Sequence, residues 1–197
     1  YQKSYSKTEL KWIETRNQKI HLVLDEQLSK KTSKRLLDVG CGEGFALGYF
    51  KNLGWDVTGL DYSATGLEQH NSSLRNCLLT GDIFELLNDQ IQNGLDYEVI
   101  LLNNVLEHVL DPIGTLQTLK NLMANSGICV ITVPNDGSDY QHQLLEKSSI
   151  KTKFWICMPD HISYFTNESL RSLAEFCGWQ CCRLLSDFPI DWYIPNQ

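Results

Sequence analysis

The sequence has 197 residues, carries a formal net charge of −7 at pH 7 and is 42% hydrophobic. This length suits one globular domain, and the acidic balance argues against a nucleic-acid-binding surface, because phosphate contacts need clustered lysine and arginine. No apolar run approaches the ~20 residues that a membrane helix needs, and the polar N-terminus lacks the apolar core of a signal peptide. We therefore expect a cytoplasmic protein without nucleic-acid partners or a membrane span.

The cysteines number seven and are scattered along the chain. They form neither a C-x-x-C pair nor another metal-ligand spacing. We expect reduced thiols and no metal site.

The predicted elements alternate between strand and helix after an N-terminal helix. Residues 8–28 carry an imperfect helical stripe of apolar side chains and predict that first helix. Short apolar runs predict strands at residues 35–40, 56–60, 77–79, 97–102 and 127–133. Helical spacing predicts further helices at residues 45–53, 64–75 and 112–124.

This alternation predicts an α/β fold with a Rossmann-like, mostly parallel sheet and helices on both faces. The near-continuous apolar runs 98–102 and 128–133 are typical of strands buried on both sides. Ligands of such sheets bind beyond the carboxyl ends of the strands, so we expect the functional residues there.

A glycine-rich turn, Asp38-Val-Gly-Cys-Gly-Glu-Gly44, follows the first strand. Alternate glycines let the backbone turn tightly and approach a ligand. A dinucleotide-binding G-x-G-x-x-G pattern would place glycine at position 45, where the sequence has Phe45. The turn is therefore typical of a nucleotide-binding site, but its spacing disfavours a site for the pyrophosphate of a dinucleotide.

Single carboxylates follow the next two strands. Asp61 could accept hydrogen bonds from both hydroxyls of a ribose, and its alternative role is a helix N-cap. Asp82 could receive an adenine amino group while the backbone of Ile83 reads the ring edge, and its alternative role is a turn residue. Together with Asp38, these acids at three successive strand ends describe a cleft for an adenosine.

The string Leu36-Leu-Asp-Val-Gly-Cys-Gly-Glu-Gly44 resembles the signature loop of the class I S-adenosylmethionine-dependent methyltransferases. The resemblance continues through Asp61, Gly81-Asp82 and Asn103-Asn-Val-Leu-Glu-His-Val-Leu-Asp-Pro112. That last string is similar to the subgroup typified by ubiquinone-biosynthesis O-methyltransferases. The resemblance implies an enzyme that transfers a methyl group from S-adenosylmethionine to a small-molecule acceptor, with a hydroxyl oxygen as the expected acceptor atom.

The resemblance also implies cofactor contacts. The methionine part of the cofactor would face Asp38 and the glycine turn, and the backbone carbonyl of Asn103 would lie near the cofactor's amino group. Arg16 is the candidate for the cofactor carboxylate, with a solvent-facing helix position as the alternative. The full implied set is Asp38, Gly40, Cys41, Gly42, Gly44, Asp61, Tyr62, Asp82, Ile83, Asn103 and Arg16.

Two histidines are the candidate catalytic residues, because an imidazole can take a proton from a hydroxyl near neutral pH. We expect His161 to remove the proton, since it follows a long segment that points to a substrate mouth. His108 is expected to shape the pocket. Structural roles, in orienting a loop or packing, are the alternatives for both.

The domain organisation follows from these elements. We expect one methyltransferase domain over residues 1–197, with an N-terminal helical cap (1–30) and a cofactor-binding core (35–134). Residues 135–165 depart from simple alternation and predict either a lid that governs substrate choice or a helical insertion.

Residues 166–197 predict a helix and then a strand at 178–185. Class I methyltransferases usually finish with an antiparallel hairpin, and no convincing second strand follows here. We expect the final antiparallel strand to be missing or the sequence to be a truncated copy.

Two other functions stay open at this stage. A nucleotide-dependent oxidoreductase is disfavoured by Phe45 and by the lack of a Tyr-x-x-x-Lys pair. A domain that binds S-adenosylmethionine without catalysis is compatible with the same motifs. The sequence leaves open the acceptor's identity and the oligomeric state.

Overall fold

The computed structural model describes residues 3–28, 33–147 and 149–186. Its helices are α1 (Lys7–Gln27), α2 (Phe45–Asn52), α3 (Thr65–Asn71), α4 (Ile83–Gln92), α5 (Pro112–Asn121), α6 (Asp139–Glu146) and α7 (Asn167–Phe176). Its strands are β1 (Arg35–Val39), β2 (Asp56–Asp61), β3 (Leu78–Thr80), β4 (Tyr97–Asn103) and β5 (Met123–Thr132). Short 3₁₀ helices cover Ser72–Cys77 and Leu106–His108.

The strands form one sheet in the order β3-β2-β1-β4-β5, and every pair is parallel. The predicted Rossmann-like α/β fold is therefore confirmed. The chain reverses its direction of travel across the sheet between β1 and β4. A crevice opens at such a switch point, beyond the carboxyl ends of the two strands.

Helices cover both faces of this sheet, because successive strand residues point to opposite sides. Leu36 of β1 belongs to a buried cluster with Leu47 and Phe50 of α2. Its neighbour Leu37 belongs to the opposite cluster with Leu87 of α4. Each such side chain contributes about 1.5–3 kcal/mol when it is fully buried.

The N-terminal helix α1 is anchored at its C-terminal half. Ile20 and Leu24 are buried in the same cluster as Leu36. A capping box starts the helix, because Ser6 accepts a hydrogen bond from the amide of Glu9 and donates its own amide to the Glu9 carboxylate. The first half of α1 lies over the carboxyl edge of the sheet, at the switch point.

Two expectations about the strands are wrong, one for residues 178–185 and one for β5. Residues 178–186 form no strand, and the side chains of Cys181–Ser186 are exposed. Within the part of the chain that the structure describes, β5 pairs only with β4. As an edge strand it is half-buried rather than buried on both sides.

The predicted boundary between α5 and β5 is also shifted. The helix ends at Asn121 and the strand begins at Met123, which pairs with Tyr97 ahead of a register shift. In the described ranges, no helix combines the length and apolar character required to cross a bilayer.

Candidate active site

The glycine turn leaves β1 and crosses toward β2. The amides of Gly40 and Cys41 both donate to the carbonyl of Leu60, at 2.8 and 3.1 Å. Gly40 has a φ of +69°, and a Cβ at this position would lie 2.5 Å from Cγ2 of Val105. Only glycine fits this backbone conformation and this close approach.

Asp38 lies at the buried end of β1, where its side chain is 2% exposed. Burial raises the pKa of Asp38 to about 7, the nearby charge of Arg16 lowers it, and that of Asp61 raises it. Its Oδ1 makes no hydrogen bond to any described residue. A buried acceptor without a partner is costly, so this carboxyl is a candidate for direct ligand contact.

A cavity of about 480 Å³ lies between the first half of α1 and the glycine turn. This volume falls in the usual range for small-molecule sites. The predicted cofactor residues that line it are Arg16, Asp38, Gly40, Cys41, Gly42 and Asn103. The N-terminal segment that carries Arg16 forms the wall opposite the glycine turn and also contributes Lys3, Tyr5, Glu9, Trp12 and Ile13.

Arg16 faces this cavity from α1. Its guanidinium carbon lies 5.2 Å from the centre of the Trp12 ring, and the side chain is half-buried. The structure therefore does not place it as a solvent-facing helix residue. Its position opposite Asp38 suits the carboxylate end of an amino acid.

Asp61 ties the end of β2 to the glycine turn. Its Oδ2 accepts the amide of Gly42 at 2.9 Å, and its Oδ1 accepts the amide of Ser63 at 3.1 Å. The N-cap of α3 is Ala64, so Asp61 is not a helix cap.

Asp82 is the N-cap of α4. Its Oδ1 accepts the amides of Phe84 and Glu85, at 2.9 and 3.1 Å. The next residue, Ile83, is buried. The 480 Å³ cavity does not reach the following predicted residues: Gly44, Asp61, Tyr62, Asp82 and Ile83.

The two candidate histidines come together although 53 positions separate them in the sequence. The ring centroids of His108 and His161 are 4.9 Å apart with an interplanar angle of 81°. His108 donates from Nδ1 to the carbonyl of Asp160 at 2.7 Å, which leaves Nε2 as the acceptor nitrogen of a neutral ring.

Two carboxylates that the sequence analysis did not single out lie beside this histidine pair. Glu107 is 1% exposed, and its Oε1 lies 3.9 Å from Nε2 of His108. One possible ligand atom from each of Glu107, His108 and His161 lies within 4.8 Å of the others, a spacing at which the three could hold a metal ion. Asp136 is also buried, and burial raises its pKa. Asp136 follows the end of β5, so the strand-end rule could have found it.

The histidine pair does not line the 480 Å³ cavity but adjoins it. Asn104 lines that cavity, and its Nδ2 donates to Oε1 of Glu107 at 3.1 Å. Glu107 in turn lies beside His108. The hydrogen bond between Asn104 and Glu107 therefore links the cavity to the histidine pair.

The chain is similar in sequence to a family of known proteins. A family model described as a methyltransferase domain matches residues 11–184. The ubiquinone biosynthesis O-methyltransferase of Glaesserella parasuis is 33% identical over 174 residues, which cover 80% of this chain and 73% of that protein. The protein of the same name from Psychrobacter cryohalolentis is 28% identical over 159 residues, 71% of this chain. The chain spans 61% of that relative's length.

Solved structures agree in fold. A SAM-dependent methyltransferase from Archaeoglobus fulgidus superposes with a TM-score of 0.61 at 20% identity, over 93% of this chain and 84% of that one. The plantazolicin methyltransferase BpumL, solved in complex with a monoazolic desmethylPZN analog and SAH, superposes with a TM-score of 0.53 at 25% identity, over 83% of this chain and 61% of that one. Because the family model covers most of the sequence, the chain belongs to the methyltransferase-domain family, as its resemblance to the class I S-adenosylmethionine-dependent methyltransferases predicts.

Proposed function

We propose that this methyltransferase binds S-adenosylmethionine across the glycine turn and transfers its methyl group to a hydroxyl oxygen of a small molecule. The observation that carries the proposal is the buried, incompletely hydrogen-bonded Asp38 facing the 480 Å³ cavity opposite Arg16. A cavity with an acid on one wall and a guanidinium on the other is complementary to a zwitterionic amino-acid group.

The cofactor assignment extends along the strand ends. Asp38 and the backbone carbonyl of Asn103 would face the cofactor's ammonium group, and Arg16 its carboxylate. Asp61 would bind the ribose hydroxyls while it keeps its contact with the Gly42 amide. The remaining proposed contacts are Gly44 toward the methionine part, Asp82 and Ile83 toward the adenine, and Tyr62.

The histidine pair supplies the acceptor side of the proposed reaction. Bound S-adenosylmethionine provides an electrophilic methyl group, and S-adenosylhomocysteine is the product. An acceptor hydroxyl becomes a good nucleophile as its proton leaves, so we assign proton removal to His161. His108 is the pocket-shaping residue, because its hydrogen bond to Asp160 fixes its ring. The names of the relatives, which are O-methyltransferases, support oxygen as the acceptor atom.

The segment 135–165 is proposed as the wall that selects the acceptor. The carbonyl of Glu107 accepts the amides of Ile162 and Ser163, at 2.8 and 3.0 Å, so the end of this segment docks beside the histidines. Exclusion of water by such a cover helps methyl transfer, because alignment and desolvation supply much of the rate acceleration.

The test is a transfer assay with methyl-labelled S-adenosylmethionine and a panel of phenols, catechols and sugar hydroxyls. We expect label on oxygen in at least one acceptor, together with calorimetric binding of S-adenosylhomocysteine. Cofactor binding without transfer to any acceptor would instead identify a catalytically silent binding domain. Tight binding of NAD, with no binding of either sulfur nucleotide, would contradict the proposal as a whole.

A further inference from the structure

We infer that residues 3–6, here called the strap, close one side of the 480 Å³ cavity over the bound cofactor, and that cofactor exchange requires the strap to open. Within the strap, Tyr5 is the residue that closes the cavity. The inference rests on the proposed function, because it treats this cavity as the cofactor site. The contacts that support it join the strap to helices α2 and α3.

Tyr5 forms part of the cavity wall and also anchors the strap. It is half-buried, whereas the other three strap residues are exposed, and it lines the cavity together with Phe45 of α2. Its ring packs edge-to-face against Phe45, with centroids 5.2 Å apart and an interplanar angle of 86°. The same ring packs against His70 of α3, at 5.2 Å and 81°. Aromatic pairs in this arrangement attract each other beyond the area that they bury, so Tyr5 fixes the strap to both helices.

His70 also holds the main chain of the strap. Its Nε2 donates to the carbonyl of Lys3 at 2.8 Å, and Nε2 of the neighbouring Gln69 donates to the same carbonyl at 3.4 Å. The Nζ of Lys3 in turn lies 4.6 Å from the centre of the Tyr5 ring. His70 itself does not line the cavity. It can therefore anchor the strap without contact to a ligand in the cavity.

The strap can open while α1 stays in place. Ser6 is the N-cap of α1, so the strap ends where the helix begins. The helix is held by Ile20 and Leu24, which are buried in the core. The strap, by contrast, is held by side chains of α2 and α3, and surface contacts of this kind break at a much lower free energy than the core. We therefore expect strap opening to be a local event.

An anchor of the strap and a wall of the cavity predict different kinetic effects. A residue that only anchors the strap sets the population of the open form, and ligand entry and exit both pass through that form. Loss of such an anchor should raise kon and koff by the same factor and leave Kd nearly unchanged. Loss of a residue that also contacts the ligand should raise koff more than kon, and thus raise Kd. His70 belongs to the first kind and Tyr5 to the second.

The first measurement is surface plasmon resonance of S-adenosylhomocysteine on the immobilised full chain. We expect His70→Ala to raise kon and koff together by about 3- to 10-fold, with Kd within about twofold of the wild type. We expect Tyr5→Ala to raise koff by about 10- to 50-fold and Kd by about 3- to 10-fold, because the wall contact is lost as well.

The matched control is His21→Ala. His21 joins α1 to α2 by contacts of the same kind, since its Nδ1 lies 3.3 Å from the hydroxyl of Tyr49 and the two ring centroids are 5.9 Å apart. Neither of these two residues lines the cavity. We therefore expect wild-type kon, koff and Kd in this variant.

The second measurement needs no ligand. Chymotrypsin cleaves after aromatic residues, and cleavage after Tyr5 requires the strap to leave α2 and α3. When opening is fast relative to cleavage, the rate follows the population of the open form. Mass spectrometry should then show cleavage after Tyr5 to be about 3- to 10-fold faster in His70→Ala than in the wild type. The His21→Ala variant should match the wild type.

Three results would overturn the inference. Equal rates of cleavage after Tyr5 in the wild type and in His70→Ala would show that His70 does not anchor the strap. Wild-type koff in Tyr5→Ala would reduce the aromatic contacts of Tyr5 to packing. A higher koff with unchanged kon in His70→Ala would make His70 a ligand contact instead of an anchor. If S-adenosylhomocysteine does not bind the wild type, the proposed function fails, whereas the cleavage rates still decide whether the strap is anchored.

Discussion

Binding of the cofactor should depend on pH through Asp38. The pKa of this carboxyl is raised to about 7 by burial, and a ligand carrying an ammonium group favours its ionised form. If only the ionised form binds, the ionised fraction falls from about 0.9 at pH 8 to about 0.1 at pH 6. The Kd should therefore rise about tenfold over this range, which is about 1.4 kcal/mol.

The assay is isothermal titration calorimetry with S-adenosylhomocysteine in two buffers that differ in ionisation enthalpy. We expect release of about one proton per ligand near pH 6 and almost none near pH 8. The Asp38→Asn variant should bind S-adenosylhomocysteine more weakly, and its Kd should not depend on pH. The control is Asp56→Asn, which removes an exposed carboxyl at the start of β2. This variant should keep the wild-type affinity and the wild-type pH dependence. A Kd that is flat between pH 6 and 8 in the wild type would refute the reasoning.

The remaining predictions concern the turn, the ribose contact and the proposed base. Gly40→Ala should lower the free energy of unfolding by about 1–3 kcal/mol, because a Cβ meets Val105 and φ is +69°; denaturant melts that match wild type would contradict this. Asp61→Ala should weaken cofactor binding by roughly 1.5–3 kcal/mol, measured by calorimetry, since it loses both the proposed ribose contact and the Gly42 amide. His161→Ala should lower kcat by about 10²–10⁴ at unchanged cofactor affinity, and wild-type kcat in this variant would remove His161 as the base. Together, the Asp61 and His161 predictions separate cofactor binding from proton removal.

The strand ends were predictable because the central strands are buried on both sides. Strand β1 carries the apolar pair Leu36 and Leu37 and β4 the apolar run 99–102, and these are followed directly by Asp38 and Asn103. A polar residue directly after such a run falls at the carboxyl edge whatever the strand order is. The sequence thus located one wall of the cavity without knowledge of the topology.

The edge of the sheet was not predictable in the same way. The apolar residues of β5 resemble those of β4, yet β5 is half-buried, because burial depends on whether another strand lies beside it. The expected strand at 178–185 shows the same weakness, since strand-like composition gives no information about a pairing partner. Helix α4 was not predicted, although the sequence contains features that indicate it. Asp82 is a suitable helix cap, and Ile83 and Leu87 follow it at helical spacing.

Arg16 illustrates a residue whose role needed the tertiary structure. The sequence alone could not show that Arg16 lies near the glycine turn, because the spacing between the two is not fixed. Arg16, Ile20 and Leu24 share one face of α1 at intervals of four, and the last two are buried against the sheet. The packing of those two residues therefore brings Arg16 to the cavity.

The acceptor side is assembled by the same principle from more distant parts of the chain. His108 and Glu107 follow β4, whereas His161 returns after the segment 135–165 and is held there by backbone hydrogen bonds. Main-chain bonds of this kind do not depend on which side chains occupy the rest of the segment. If residues 135–165 select the acceptor as we propose, substitutions there would change the acceptor while these main-chain bonds hold the histidine pair at the same distance from the 480 Å³ cavity. Methyl transfer needs that distance fixed, because misplacement of the reacting atoms by ~1 Å costs about 10²-fold in rate.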